Sequence, residues 1–235
     1  MRLIALARLL QLSSQALPIG GYSHSQGLEA AIEGEVVRDE GSLRRWISDV
    51  LEFSMKPFEI PCMLSMAAAW ARSDPAAAAV LNEEYLSTRE SAELRAAAMQ
   101  MGFSLRALLC VLPDVPKDTV AALRSIPEPS LPCVWSAAAV AWGVPAPESV
   151  MGYLWAWAEN QVLVAMKAVP LGQSLGQRVL LAIGSKIAEA AADVDLGGAG
   201  MDGMGEISSE YSNFSPGLAI LSSRHETQYS RLFRS

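Results

Sequence analysis

Histidine is scarce in this 235-residue sequence: His24 and His225 are the only two, and they stand at opposite ends of the chain. A nucleophile–base–acid triad would have to recruit one of them beside an activated Ser or Cys. A metal site of the His-rich kind would have to bring both together, and no spacing indicates converging ligands. Cysteine is equally sparse. Cys62, Cys110 and Cys133 are odd in number and widely separated, so they fit neither a disulfide framework nor a zinc motif. Each lies among apolar neighbours and reads as a buried free thiol, which suits a reducing, cytoplasmic compartment. No Gly-x-x-x-x-Gly-Lys-Ser/Thr phosphate loop occurs. Basic charge is short as well: 18 Lys and Arg against 25 Asp and Glu leave a net charge of −7, which speaks against nucleic acid and against anionic membrane surfaces. The longest charge-free run, residues 129–147, is broken by prolines and Gly143, so it offers none of the roughly twenty unbroken helical residues that a membrane span needs. The start, Met1 to Ala7, has a weak signal-peptide flavour, which Arg8, Gln11 and the lack of a small-residue cleavage site oppose.

What is present points to helices. Half of the chain is apolar, and Ala, Leu and Met outnumber the β-branched and aromatic residues that strands favour. The expectation is an all-α protein: a single-domain bundle of about nine to ten helices over residues 1–192, a flexible acidic Gly/Ser-rich linker over 193–217, and a tail over 218–235. Leu3, Leu6, Leu9, Leu10 and Leu12 recur at helical spacing, and Ser23-His24-Ser25-Gln26 has the form of a capping box before a second helix. Tyr22 and His24, just ahead of it, are either packing residues or exposed recognition groups on a glycine-shaped loop. Asp39 caps a helix that Pro57 interrupts, and Asp74-Pro75 stops one helix and starts the next. Ser87-Thr88-Arg89-Glu90 reads as a second capping box, followed by a seam of Leu94, Ala98, Met101, Leu105, Leu108 and Leu112. Residues 131–142 should be a buried central helix and 148–168 a long one, with Glu159-Asn160-Gln161 in its middle needing partners. Lys167 meets its C-terminus, and a final helix reaches about Ala192.

The last twelve residues, 224–235, mix three arginines with Tyr229, Leu232 and Phe233, the side chains that dominate binding surfaces. Termini with such anchors either dock on their own core or become ordered on a partner, and the sequence allows both.

Four stretches, taken in order, resemble the urease accessory protein family UreF. They are Ala16-Leu17-Pro18-Ile19-Gly20-Gly21-Tyr22-Ser23-His24-Ser25-Gln26-Gly27-Leu28-Glu29, Arg89-Glu90-Ser91-Ala92-Glu93-Leu94-Arg95, Glu159-Asn160-Gln161 with Lys167-Ala168-Val169-Pro170-Leu171-Gly172-Gln173, and the terminal tail. Ser91 stands where the family pattern has Thr. The resemblance implies an all-helical, dimeric, non-enzymatic protein that bridges UreD (also called UreH) and the GTPase UreG while nickel is installed in apo-urease. Nickel and GTP would be handled by the complex, with no cofactor bound by this chain. Candidate partner-binding residues by the same resemblance are Tyr22, His24, Arg89, Glu90, Glu93, Arg95, Glu159, Lys167, Gln173, Arg224, His225, Glu226, Tyr229, Arg231, Leu232, Phe233 and Arg234. The alternative function is a nickel-carrying metallochaperone using His24 and His225, with Cys62 as a further ligand.

Overall fold

A computed structural model describes residues 1–169, 172–194 and 211–234. The described residues are helical and contain no strand. Ten α-helices fall within the first 192 residues: α1 Leu3–Leu12, α2 Leu28–Glu33, α3 Glu40–Val50, α4 Ile60–Ala71, α5 Pro75–Ser87, α6 Ala92–Leu109, α7 Lys117–Ser125, α8 Leu131–Ala141, α9 Ala146–Ala168 and α10 Gln173–Ala192. An eleventh, α11 Pro216–His225, lies in the tail. The linker expected over 193–217 falls mostly on 195–210, outside the described residues; Tyr211 to Ser215 and the start of α11 are described, with Tyr211 and Leu218 against the core and Phe214 exposed.

Two groups of helices share one continuous core. α8 lies between α4 and α6, while the long α9 packs on α10, α1, α2 and α3. α8 is apolar on all sides and largely buried, as a sequence without a polar face demands. The seam of α6 buries Leu94, Ala98, Met101 and Leu105 and faces chiefly α8; it ends at Leu109, so Leu112 belongs to the following turn. Gly176 is where α10 comes against α9: a Cβ there would sit 2.8 Å from Met166 Sδ and 3.0 Å from Val162 Cγ1. On α1, Ala5, Leu9 and Leu12 point inward, so Leu3, Leu6 and Leu10 are exposed and the expected apolar stripe is displaced around the helix.

Three local expectations need correction. Pro57 does not interrupt the chain's helical course. Residues Leu51–Glu59 widen into a π-helix that joins α3 to α4, which accommodates the missing proline N–H. The Pro57 carbonyl accepts instead from the Ser212 amide. The box over residues 23–26 is not a cap, because α2 starts from Gly27 at φ +83°, a conformation that leaves no Ser side chain at the cap position. The second box lies one turn early. Thr88 ends α5, and Ser91 is the cap of α6, its hydroxyl accepting from the Leu94 amide at 3.1 Å. Asp39 and Asp74 cap as expected, the former in a reciprocal pair with Ser42.

Candidate functional site

The tail is docked on the chain's own helices. α11 lies against α2 and α6, and the segment after it crosses the same two helices. Ser222 on α11 shares a 2.6 Å hydrogen bond with Ser91 at the α6 cap, and Glu226 accepts from the Ala92 amide at 2.9 Å, next to the positive end of α6. His225 has no exposed surface. Its Nδ1 lies 2.7 Å from Glu93 Oε2 of α6 and its Nε2 lies 2.9 Å from Glu29 Oε2 of α2. Glu29 also accepts from the backbone amides of Leu232 (2.6 Å) and Phe233 (3.0 Å), and Glu93 Oε1 accepts from Arg231 at 2.8 Å. The Arg234 amide donates to the Ser23 carbonyl at 2.8 Å, which closes the tail on the loop ahead of α2.

That loop is positioned from α9. Asn160 donates to the His24 carbonyl at 3.0 Å and Gln161 to the Ser25 carbonyl at 3.2 Å, while the Trp46 indole donates to Gln161. The polar triplet in the middle of α9 therefore finds partners across the fold. Its third member, Glu159, accepts from Gln15 at 3.3 Å. Tyr22 and His24 separate: Tyr22 is 57% exposed, whereas His24 is buried and desolvation, with Arg234 nearby, lowers its pKa to about 4. Lys167 joins loop and tail, its ammonium lying 5.8 Å from the Tyr22 ring centroid and 5.6 Å from that of Phe233.

The tail's side chains divide into two sets. Phe233 is 7% exposed and His225 fully enclosed, whereas Leu232 is 69% exposed, Tyr229 wholly so, and Arg224, Arg231 and Arg234 lie at the surface. Tyr22, Lys167 and the terminal residues thus form one surface around a buried acid–histidine cluster. Other candidates have settings of their own. Arg95 pairs with Glu128 at 2.9 Å, and Gln173 opens α10. Arg89 is a core residue: it donates to Glu59 and to Tyr85, both at 3.1 Å, and stacks on Phe58 and Tyr85. Tyr153 donates to the other Glu59 oxygen, and burial pushes the Tyr85 and Tyr153 hydroxyls well above their usual pKa. Glu90 lies 3.7 Å from Arg89 with its carboxylate enclosed. A cavity of about 100 Å³ opens beside this network, bounded among others by Leu12, Met55 and Trp157.

Glu29, Glu59, Ser222 and Tyr153 were not singled out from the sequence. Glu29 and Glu59 did carry a signal, a lone carboxylate set among apolar residues in Leu28-Glu29-Ala30-Ala31 and Phe58-Glu59-Ile60. No group of three or more His, Cys, Asp or Glu able to hold a metal occurs among the described residues. Cys62 is buried, and its thiol is pushed well up by desolvation and Glu59. Gly172-Gln173-Ser174-Leu175-Gly176 has the spacing of a nucleophile elbow, but it leads from helix to helix, without the strand that gives an elbow its geometry. Gly198-Ala199-Gly200-Met201-Asp202-Gly203 has dinucleotide-loop spacing and lies outside the described residues. No helix among the described residues is long and apolar enough to cross a membrane.

Fold and site together define an all-α protein that closes its own C-terminus over a buried carboxylate–imidazole–carboxylate cluster. Residues 37–184 match the model of the UreF family. The chain is 50% identical to the urease accessory protein UreF of Azoarcus sp. (strain BH72), over 99% of this chain and 97% of that protein. It is 49% identical to the UreF of Dechloromonas aromatica (strain RCB), over 99% and 98%, and 46% identical to that of Janthinobacterium sp. (strain Marseille), over 98% of each. The chain belongs to the UreF family.

Proposed function

We propose that this chain acts in urease maturation as a cytoplasmic, non-enzymatic scaffold. It bridges UreD (UreH) and the GTPase UreG, and through them apo-urease, during GTP-dependent assembly of the nickel centre. The near full-length similarity to urease accessory proteins supports the general role. The observation that carries the scaffold reading is the division of the tail. Its buried set ties the segment to α2 and α6, while Tyr229, Leu232, Arg231 and Arg234 stand outward beside Tyr22 and Lys167. Exposed aromatic, aliphatic and arginine side chains grouped on a positioned backbone are what a protein-binding surface is made of. Homodimerisation belongs to the same reading, and the outward apolar residues of α1, Leu3, Ile4 and Leu10, are of the kind a partner copy would cover.

The test is co-purification of the intact chain with UreD and with UreG, compared with the double variant Tyr229→Ala, Leu232→Ala. Both side chains are outside the core, so the helical circular dichroism should be unchanged while capture of UreD falls at least tenfold. Undiminished capture would remove the tail from the interface. The nickel-carrier alternative would require two enclosed imidazoles to leave their sites. Equilibrium dialysis of the isolated chain decides it, since stoichiometric nickel lost on His24→Ala or His225→Ala would favour that alternative.

A further inference from the structure

Among the described residues beyond Val194, the chain meets the helical body in two places. One is the docking of α11 and the terminal stretch on α2 and α6. The other lies just upstream and is made by three successive residues. Tyr211 packs against the core, its hydroxyl 3.4 Å from Ser65 Oγ on α4. The Ser212 amide donates to the Pro57 carbonyl in the π-helix at 3.1 Å. Asn213 joins two elements: its Nδ2 donates to the Thr88 carbonyl at 3.0 Å, and its Oδ1 accepts from the buried Ser54 hydroxyl at 3.4 Å. These bonds meet acceptors that helix geometry leaves short. Four residues after Pro57 stands Pro61, which has no N–H to offer a carbonyl one turn back. Thr88 lies past the last turn of α5, where intrahelical donors run out. Between the two contacts the chain is loosely held. Phe214 is 79% exposed, Pro216 and Gly217 lie at the surface, and a Cβ on Gly217 would meet nothing within 4 Å.

We propose that Asn213, together with the Ser212 amide, is a clasp that positions the C-terminal segment: it fixes the chain just ahead of α11, so that α11 and the terminal stretch open and re-dock about a short hinge over residues 214–217. Asn213 is a positioning residue, acting on the tail through the backbone it holds. The size of its effect follows from tether length. With the clasp closed, about three residues separate the fixed point from the start of α11; with it removed, the next described residue upstream is Val194, about twenty-two residues away. Loop-closure entropy that grows as (3/2) ln n makes re-docking on the longer tether about 20-fold less favourable. The docked tail holds Tyr229 and Leu232 outward from a backbone tied to Glu29. Removing the clasp therefore also weakens capture of UreD, a consequence that rests on the scaffold reading above; the positioning itself does not.

The experiment is amide hydrogen exchange on the full chain, comparing the unsubstituted protein with the double variant Ser212→Pro, Asn213→Ala. Proline removes the donor to Pro57 and alanine removes the carboxamide, and neither position lies in a helix. Phe214→Ala, an exposed position in the same stretch, is the control. In the double variant, exchange at the Leu232 and Phe233 amides should quicken about 20-fold, while the amides of α8 and the helical circular dichroism stay unchanged. Phe214→Ala should match the unsubstituted chain at every one of these amides. Exchange at Leu232 and Phe233 that stays within about twofold in the double variant would overturn the clasp. So would equal quickening in Phe214→Ala, or quickening shared by the α8 amides, which marks general loosening of the fold. UreD capture is measured on the same proteins. Quickened exchange with undiminished capture would uphold the clasp and remove the docked tail from the scaffold reading.

Discussion

Arg89 offers a sharp test of whether a residue of the charged turn before α6 serves the core or a partner. Its side chain is 8% exposed and its Glu59 counterpart 9%. Replacing it with methionine removes the guanidinium that neutralises Glu59 while filling much of the same volume. Glu59 would be left with tyrosine hydroxyls such as that of Tyr153 and no cation, and the stacking on Phe58 and Tyr85 would be lost. Removing one partner of a buried pair costs about 3–5 kcal/mol, because the remaining charge has no compensation. For a chain of this size that corresponds to a melting temperature lower by about 6–20 °C. A thermal melt followed by circular dichroism reads the effect. Adding Glu59→Gln removes the stranded charge and should recover a substantial part of the loss, giving a clear coupling in a double-mutant cycle. If Arg89→Met melts with the unsubstituted chain and the cycle shows no coupling, the buried network does not hold the fold as described.

Further outcomes can be measured independently. Gly102→Ala would drive a Cβ into the Pro129 carbonyl and the Ser130 backbone at the entry to α8, and should destabilise the chain by about 1–3 kcal/mol in a urea melt. Phe233→Ala should leave the helical signal intact while deuterium exchange quickens at Leu232 and Phe233, whose amides are tied to Glu29. His24 should show a neutral ring by NMR down to about pH 5, since its folded pKa is about 4 against an ordinary 6.5. Because the folded ring takes up its proton less readily than the unfolded one, its contribution is complete above about pH 6.5 and is lost on acidification toward about pH 4, on the order of 3 kcal/mol in all.

The helical scaffold was readable because it rests on local rules. Asp39 and Asp74 announce their helices by capping, the apolar circumference of residues 131–142 announces burial, and the final helix does reach Ala192. Periodicity could not choose a face for α1, whose leucines run nearly around the helix, so Leu3 and Leu10 lie outward. Pro57 misleads because the rule that proline breaks a helix assumes α geometry, and a π-helix evades it. The tail's anchors were visible by composition. What they meet was not, because the carboxylates around His225 come from α2 and α6, far away in sequence. For the same reason Arg89 stood among the partner-binding candidates: nothing near it in the chain reveals Glu59 or Tyr153.

The claim that this chain serves urease maturation is tested most directly in cells that make urease and lack this gene product. Urease activity should be lost there, restored by the full chain, and not restored by a chain ending at Ser223, although both forms accumulate. Normal urease activity without the chain, or full restoration by the shortened form, would contradict it.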